Sequence, residues 1–247
     1  MDYPPRMAGG TTIHAHNMAK AFSQLGHTPY VVAASHPGAP ACEHGDIEVR
    51  RVARPYTLFS AFKAGSLRPE MAAVHGHGTC AYGFMKLYPR FPTVIKMHST
   101  WLEEYERYKR AGRKTGMMPL YVRMDRYCAR NADAVICISQ VIKRETMRYG
   151  VPEDRITVIN NGIDTAPFEK ARSRREELGI PADARVIGYI GRLAPHKGVM
   201  ALARSFKELA RDHPKAHLLV VGDGEQREAM ENHLSDIKGR TSFLGYV

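Results

Sequence analysis

Short apolar runs recur along this chain, and a stretch with helical spacing follows most of them. PYVVAA (29–34), TVIKMH (93–98), AVICI (134–138) and ITVI (156–159) read as strands, with shorter candidates at 47–52 and 71–75. Helices are predicted over 11–26, 100–110, 117–130 and 140–149. In 11–26, Ile13, Met18, Ala21, Phe22 and Leu25 keep helical spacing, Thr11 or Thr12 can cap the start, and Gly26 ends the run. Short β-rich runs alternating with helices specify an α/β fold around parallel strands, because each crossover helix must cover the sheet it returns to.

Near residue 160 the texture changes. NNGIDTAPF is turn-rich and reads as a hinge. A second series follows: strand VIGYIG (186–191), helix 198–212, strand HLLVVG (217–222), helix 225–236 and strand TSFLG (241–245). The expectation is two Rossmann-like domains with parallel sheets, 1–165 and 166–247. The first opens directly on a glycine loop and lacks the usual first strand. The second stops at its third strand without a covering helix, so it is expected to be incomplete and the chain truncated.

Of the 247 residues, 44% are hydrophobic and 25% charged, which excludes wholesale disorder. No apolar run approaches the ~20 residues that cross a bilayer. MDYPPRMAGG has no apolar core of a signal peptide. Cys42, Cys80, Cys128 and Cys137 form no C-x-x-C pair, and no metal site is expected. Cys128 and Cys137 sit in apolar contexts and read as buried thiols. The expected location is cytoplasmic, with the inner face of the membrane as its variant. A net charge of +11 favours anionic partners, namely nucleotides, sugar phosphates, nucleic acid or anionic lipid. No nucleic-acid motif accompanies the charge, so nucleic acid is not an expected partner.

Five features carry chemistry. Gly9-Gly10 precedes the first helix, where free N–H groups and the helix dipole can meet an anion, although an ordinary turn reads equally well. GRLAPHKG (191–198) joins a strand to a helix and presents Arg192 and Lys197 at the carboxyl edge of the sheet. An arginine fork with a lysine point charge suits a diphosphate. VVGDGEQR (220–227) places Gly222 and Gly224 on the same edge, and a tight β–α turn is its plainer meaning. His75, His77 and His98 follow strands of the first domain. Last, Arg107 to Arg130 is strongly basic with interleaved tyrosines and methionines, a pattern of a solvated face or of contact with an anionic membrane.

In order, YPPRMAGGTTIHAHNMAKAFSQLGH, VHGHG, VIKMHST, ADAVICISQ, YGVPEDRITVINNGID, GRLAPHKG, VVGDGEQR and FLGYV resemble the retaining GT-B glycosyltransferases of family four, the group 1 family. The resemblance covers nearly the whole chain. It implies an acceptor-side N-terminal domain and a C-terminal domain that binds nucleotide-sugar, facing a cleft. It implies transfer of a sugar from a UDP-, GDP- or ADP-sugar to a glycan or lipid-linked acceptor, with no cofactor or metal required. Arg192 and Lys197 then match the basic pair on the donor diphosphate, and His98 a histidine beside the transferred sugar. Gly9 and Gly10 match the loop near the phosphates, Gly222 and Gly224 the loop near the nucleotide, and Val247 a contact to the base. Retention implies front-face attack, the leaving phosphate taking the acceptor proton. A paired-glutamate motif that the family carries downstream of FLGYV falls beyond the end of this chain, so the chain itself is expected to bind donor poorly and to be inactive or nearly so.

Two alternatives stand beside that reading. The chain can be a non-catalytic module docking on anionic membrane or a partner chain. A GT-B enzyme of other chemistry, an epimerase or a phosphorylase, would share the fold.

Overall fold

The computed structural model describes residues 3, 9–38, 42–43, 47–52 and 71–247. Residues 4–8 of the opening loop lie outside the described residues. The chain divides into two compact units, Met1–Asp164 and Thr165–Val247.

In the first unit the strands form two sheets. One joins β1 (Tyr30–Ala34), β2 (Cys42–Glu43) and β3 (Glu48–Val52) in the order β1-β3-β2. The other joins β4 (Val74–His77), β5 (Thr93–Met97), β6 (Ala134–Cys137) and β7 (Ile156–Val158) in chain order, all parallel. The expected parallel pattern holds in both sheets except at one short strand. The two-residue β2 runs antiparallel to β3, and among the described residues β1 does not pair with β4. The fourth strand also begins three residues later than the expected 71–75 and reaches His77.

α1 (Gly10–Gln24) precedes β1; in the four-stranded sheet helices follow strands as expected for crossovers, α2 (Tyr82–Leu87) after β4, α3 (Trp101–Arg110) and α4 (Met118–Asn131) after β5, and α5 (Gln140–Met147) after β6. Neither Thr11 nor Thr12 caps α1. The helix starts from Gly9, whose φ is 155°, and its first turn has no side-chain cap. α3 and α5 start differently. Thr100 Oγ1 accepts the amide of Glu103 at 3.2 Å, and Ser139 Oγ accepts that of Ile142 at 3.3 Å. α2 and the 3-10 turn Gly78–Ala81 before it went unpredicted, since their residues carry no clear period.

One face of the four-stranded sheet buries Ile95, Met97, Val135 and Cys137 against Cys128, Ala129 and Ala132 at the end of α4. Gly76 lets β4 come close to this core: a Cβ there would lie 2.6 Å from Ala81 Cβ and 2.7 Å from Ile95 Cδ1. Cys128 and Cys137 are free and buried, as their contexts indicated.

The second unit holds α6 (Ala166–Glu169), β8 (Arg185–Ile190), α7 (Val199–Asp212), β9 (Ala216–Val221), α8 (Arg227–His233) and β10 (Thr241–Gly245). Its strands are parallel in the order β10-β9-β8. Leu218 and Val220 of the central strand pack on Val199, Ala203, Phe206 and Ala210 of α7 and on Met230 of α8. α8 is shorter than the helix expected over 225–236. The chain leaves it after His233 for 3-10 turns over Ser235–Arg240, broken at Ile237 where φ is −124°.

Candidate active site

In a strand, alternate side chains take opposite faces. With Ile95, Met97 and Gly76 turned to the core, His75, His77, Lys96 and His98 fall on the other face, and α1 lies over it. The rings of His14 and His98 are 5.2 Å apart, those of His14 and His77 6.0 Å, and Phe22 lies 6.5 Å from His75. His77 Nδ1 and His98 Nε2 share a hydrogen bond of 2.9 Å, and the two rings stack at 28°. Four imidazoles and one lysine thus gather at the carboxyl ends of β4 and β5. Burial holds all four rings neutral: His75 and His98 are brought down to about 4 and His77 to about 2. Lys96 adds to each shift by like charge. At neutral pH each ring offers one N–H donor and one acceptor.

The segment after His98 is fixed from below. Asp125, buried on α4, accepts the Trp101 amide at 3.0 Å and the Tyr149 hydroxyl at 2.9 Å. The same hydroxyl oxygen accepts the Leu102 amide at 3.0 Å. With Thr100, these groups satisfy the first three amides of α3, so the turn carrying His98 has one defined path. Burial pushes the Asp125 carboxyl up to about 6 despite these bonds.

In the second unit, Gly191 follows β8 and the loop to α7 carries Arg192 and Lys197. Both side chains are exposed, and neither has a hydrogen-bond or ion-pair partner among the described residues. Gly198 takes the left-handed conformation (φ 70°, ψ 21°) and α7 begins there without a side-chain cap. The neighbouring loop after β9 is bonded directly to this one. Leu193 N donates to Asp223 O at 2.9 Å and Gln226 N to Leu193 O at 3.0 Å. Here the glycines have a structural reason. A Cβ on Gly222 would sit 2.0 Å from Gly191 O, and one on Gly224 would sit 2.5 Å from Leu193 O, with φ of 136° and 156°. Gly222 and Gly224 therefore face the adjacent loop backbone. Val247 is 82% exposed. Gly9 and Gly10 are exposed, and a Cβ on either would meet open space.

The basic stretch is not one amphipathic segment. Asp125 neutralises none of it: that carboxylate is buried, and Arg107 pairs with Glu104 at 2.5 Å. Met124 and Cys128 of α4 are core, whereas Met117 (61% exposed) and Leu120 (45%) stand free beside exposed Arg113 and Lys114. Sequence reasoning found His75, His77 and His98 but missed His14 and Lys96. The lysine inside TVIKM was the available signal.

Among the described residues no three His, Cys, Asp or Glu side chains are arranged to hold a metal ion, and no helix is long and apolar enough to cross a membrane.

The sequence profile "Glycosyltransferase Family 4" matches residues 8–167, and "Glycosyl transferases group 1" matches 170–247. The chain belongs to glycosyltransferase family 4. This family 4 chain is 26% identical, over its whole length, to the uncharacterized glycosyltransferase MJ1607 of Methanocaldococcus jannaschii, of which it covers 68%. It is also 26% identical to glycogen synthase of Mycobacterium tuberculosis, covering 66% of that protein. The chain thus spans about two thirds of the relatives' length. Its fold is that of GT-B glycosyltransferases. The crystal structure of Anabaena HepE in complex with UDP superposes with a TM-score of 0.67 at 18% identity, over 90% of this chain and 70% of that one. WaaG, a glycosyltransferase of lipopolysaccharide biosynthesis, gives 0.62 at 13% identity, over 100% and 69%.

Proposed function

We propose that this family 4 chain binds a nucleotide-diphosphate sugar and serves retaining transfer of the sugar to a glycan or lipid-linked acceptor. The observation that carries the reading is the β8–α7 loop. Two cations, Arg192 and Lys197, stand exposed there without partners, beside a helix whose first amides have no side-chain cap. Exposed cations are common, but two on one short loop at an open helix start form a place for a diphosphate. As the sugar–phosphate bond breaks, negative charge grows on the leaving diphosphate. A guanidinium, an ammonium and helix amides held in place stabilise that charge without reorganising.

Within this reading Gly222 and Gly224 shape the nucleotide loop by allowing the two backbones to touch, and Val247 contacts the base. His98 contacts the transferred sugar, and its bond to His77 fixes which ring nitrogen is left for a hydroxyl. Gly9 and Gly10 let ligand phosphate approach the start of α1. Retention follows from front-face attack, with the departing phosphate taking the acceptor proton. The HepE structures with UDP and with UDP-glucose support a uridine donor.

The test is release of nucleoside diphosphate from UDP-, GDP- and ADP-glucose, read beside direct binding of each donor. Binding or release is expected with one donor and is expected to be lost in Arg192→Ala. Neither binding nor release with all three would overturn the proposal.

A second reading, peripheral contact with anionic membrane, rests on the exposed Met117 and Leu120 beside Arg113 and Lys114. Co-sedimentation is expected with anionic but not neutral vesicles, and Arg113→Glu with Lys114→Glu is expected to abolish it. Equal, negligible binding to both vesicles would remove this reading.

A further inference from the structure

The histidine-lined face of β4 and β5 holds more donors than its own residues use. Lys96 is 4% exposed as a residue; among the described residues its ammonium has no hydrogen-bond or ion-pair partner, and the nitrogen itself keeps contact with solvent. A cation stripped of most of its hydration gains from an anionic partner. Both ring nitrogens of His14 and Nε2 of His75 are fully buried and unpartnered. These groups come from α1, β4 and β5 and converge. The ring of His77 lies 5.2 Å from that of His75 and 6.0 Å from that of His14. The charge of Lys96 is felt by His14, His75, His77 and His98 alike, and no carboxylate acts on Lys96 itself.

We propose that Lys96, His14 and His75 form an anion subsite for a phosphoryl group, the lysine supplying the charge and the two imidazoles N–H donors. Separate donors on three elements suit a tetrahedral oxyanion whose oxygens point apart. A flat carboxylate is matched best by a planar two-pronged fork such as arginine, which this set does not contain. Because Lys96 is recessed, the group is carried by a small phosphate ester and not by a headgroup fixed in a bilayer. In the glycosyl-transfer reading the donor diphosphate belongs to the Arg192–Lys197 loop of the second unit, so this phosphoryl group is the acceptor's. That assignment rests on the proposed function; the anion subsite does not.

The test titrates inorganic phosphate into the chain carrying Arg192→Ala and Lys197→Ala, which silences the other cationic loop. Isotope-labelled imidazole resonances are the readout, with chloride as the ionic-strength control. Saturable shifts of the His14 and His75 rings are expected. Lys96→Met is expected to weaken binding by about tenfold or more, as for a lost charged partner, and Lys96→Arg to restore most of it. Phosphate is expected to raise the melting temperature of the Lys96 protein but not that of Lys96→Met. Should Lys96→Met fail to fold, Lys96→Gln carries the same comparison. Absence of saturable shifts, or equal affinity in the charge-removed variant, would overturn the subsite. Phosphatidic acid vesicles, the other source of the same group, are expected to leave these rings unmoved; equal shifts would overturn the small-ester assignment. Because the background lacks Arg192 and Lys197, failure here is separate from failure of the donor reading.

Discussion

His75 and Asp125 pull the stability of the first unit in opposite directions as pH changes. His75 and His77 titrate far below their unfolded value of 6.5, at about 4 and about 2. Their stabilising contribution is therefore present above pH 6.5 and is lost as pH falls toward 4, by roughly 1.4 kcal/mol per pH unit for each ring. His98 adds to this with a smaller share, because it is partly exposed. Asp125 is raised from 3.8 to about 6, so its own contribution declines as pH rises through that window. Two or more imidazoles outweigh one carboxylate, and the net slope favours higher pH. Denaturant midpoints are expected to be lower at pH 5 than at pH 7; an equal or higher midpoint at pH 5 would contradict the neutral cluster. Asp125→Ala has a different signature. It removes the acceptor of the Trp101 amide and of the Tyr149 O–H in the core, and about 2–4 kcal/mol of stability is expected to go, measured by chemical denaturation. A loss below about 0.5 kcal/mol, the range of featureless surface changes, would show that Asp125 does not hold the start of α3. At this scale the sequence was half legible. His75, His77 and His98 stood out at strand ends; Lys96 joins them by strand alternation on β5, whereas His14 joins only through the packing of α1, a contact between residues distant in the chain.

At the scale of elements, local chemistry was legible where it is local. Apolar runs located the long strands to within a residue or two, and Gly198 marks a loop-to-helix junction that the glycine itself announces. Caps were less secure. Thr11 and Thr12 are suitable residues in the wrong place, inside the first turn of α1, while Thr100 does cap α3. Thr100→Ala is expected to cost about 1 kcal/mol in thermal unfolding; no loss would mean that the Asp125–Tyr149 pair alone suffices for that helix start. The order of strands was not legible, because pairing is decided by non-local contacts. β2, at two residues, carries no pattern to read. Gly222 and Gly224 read most plainly as a tight β–α turn, and their close approach to the neighbouring loop backbone gives that turn its physical reason. Gly222→Ala is expected to destabilise the second unit by several kcal/mol, since the clash is with backbone at 2.0 Å in a region closed to L side chains. A melting temperature within a degree or two of the parent would show that the two loops separate at little cost.

At the scale of the molecule, the charge of +11 is distributed over both units, and its sign alone does not choose a partner. The choice comes from where cations are grouped. Some are closed in ion pairs, such as Arg227 with Glu231 at 2.8 Å, and many others stand singly in solvent, whereas Arg192 and Lys197 are exposed together on one short loop at the start of α7. The central claim is that this loop grips the diphosphate of a nucleotide-sugar. Calorimetric titration of UDP into the parent and into the Arg192→Ala, Lys197→Ala chain tests it most directly. A measurable affinity in the parent that falls by at least about tenfold in the variant is predicted, the size of one lost charge-assisted contact. Identical UDP affinity in the two proteins would contradict the claim.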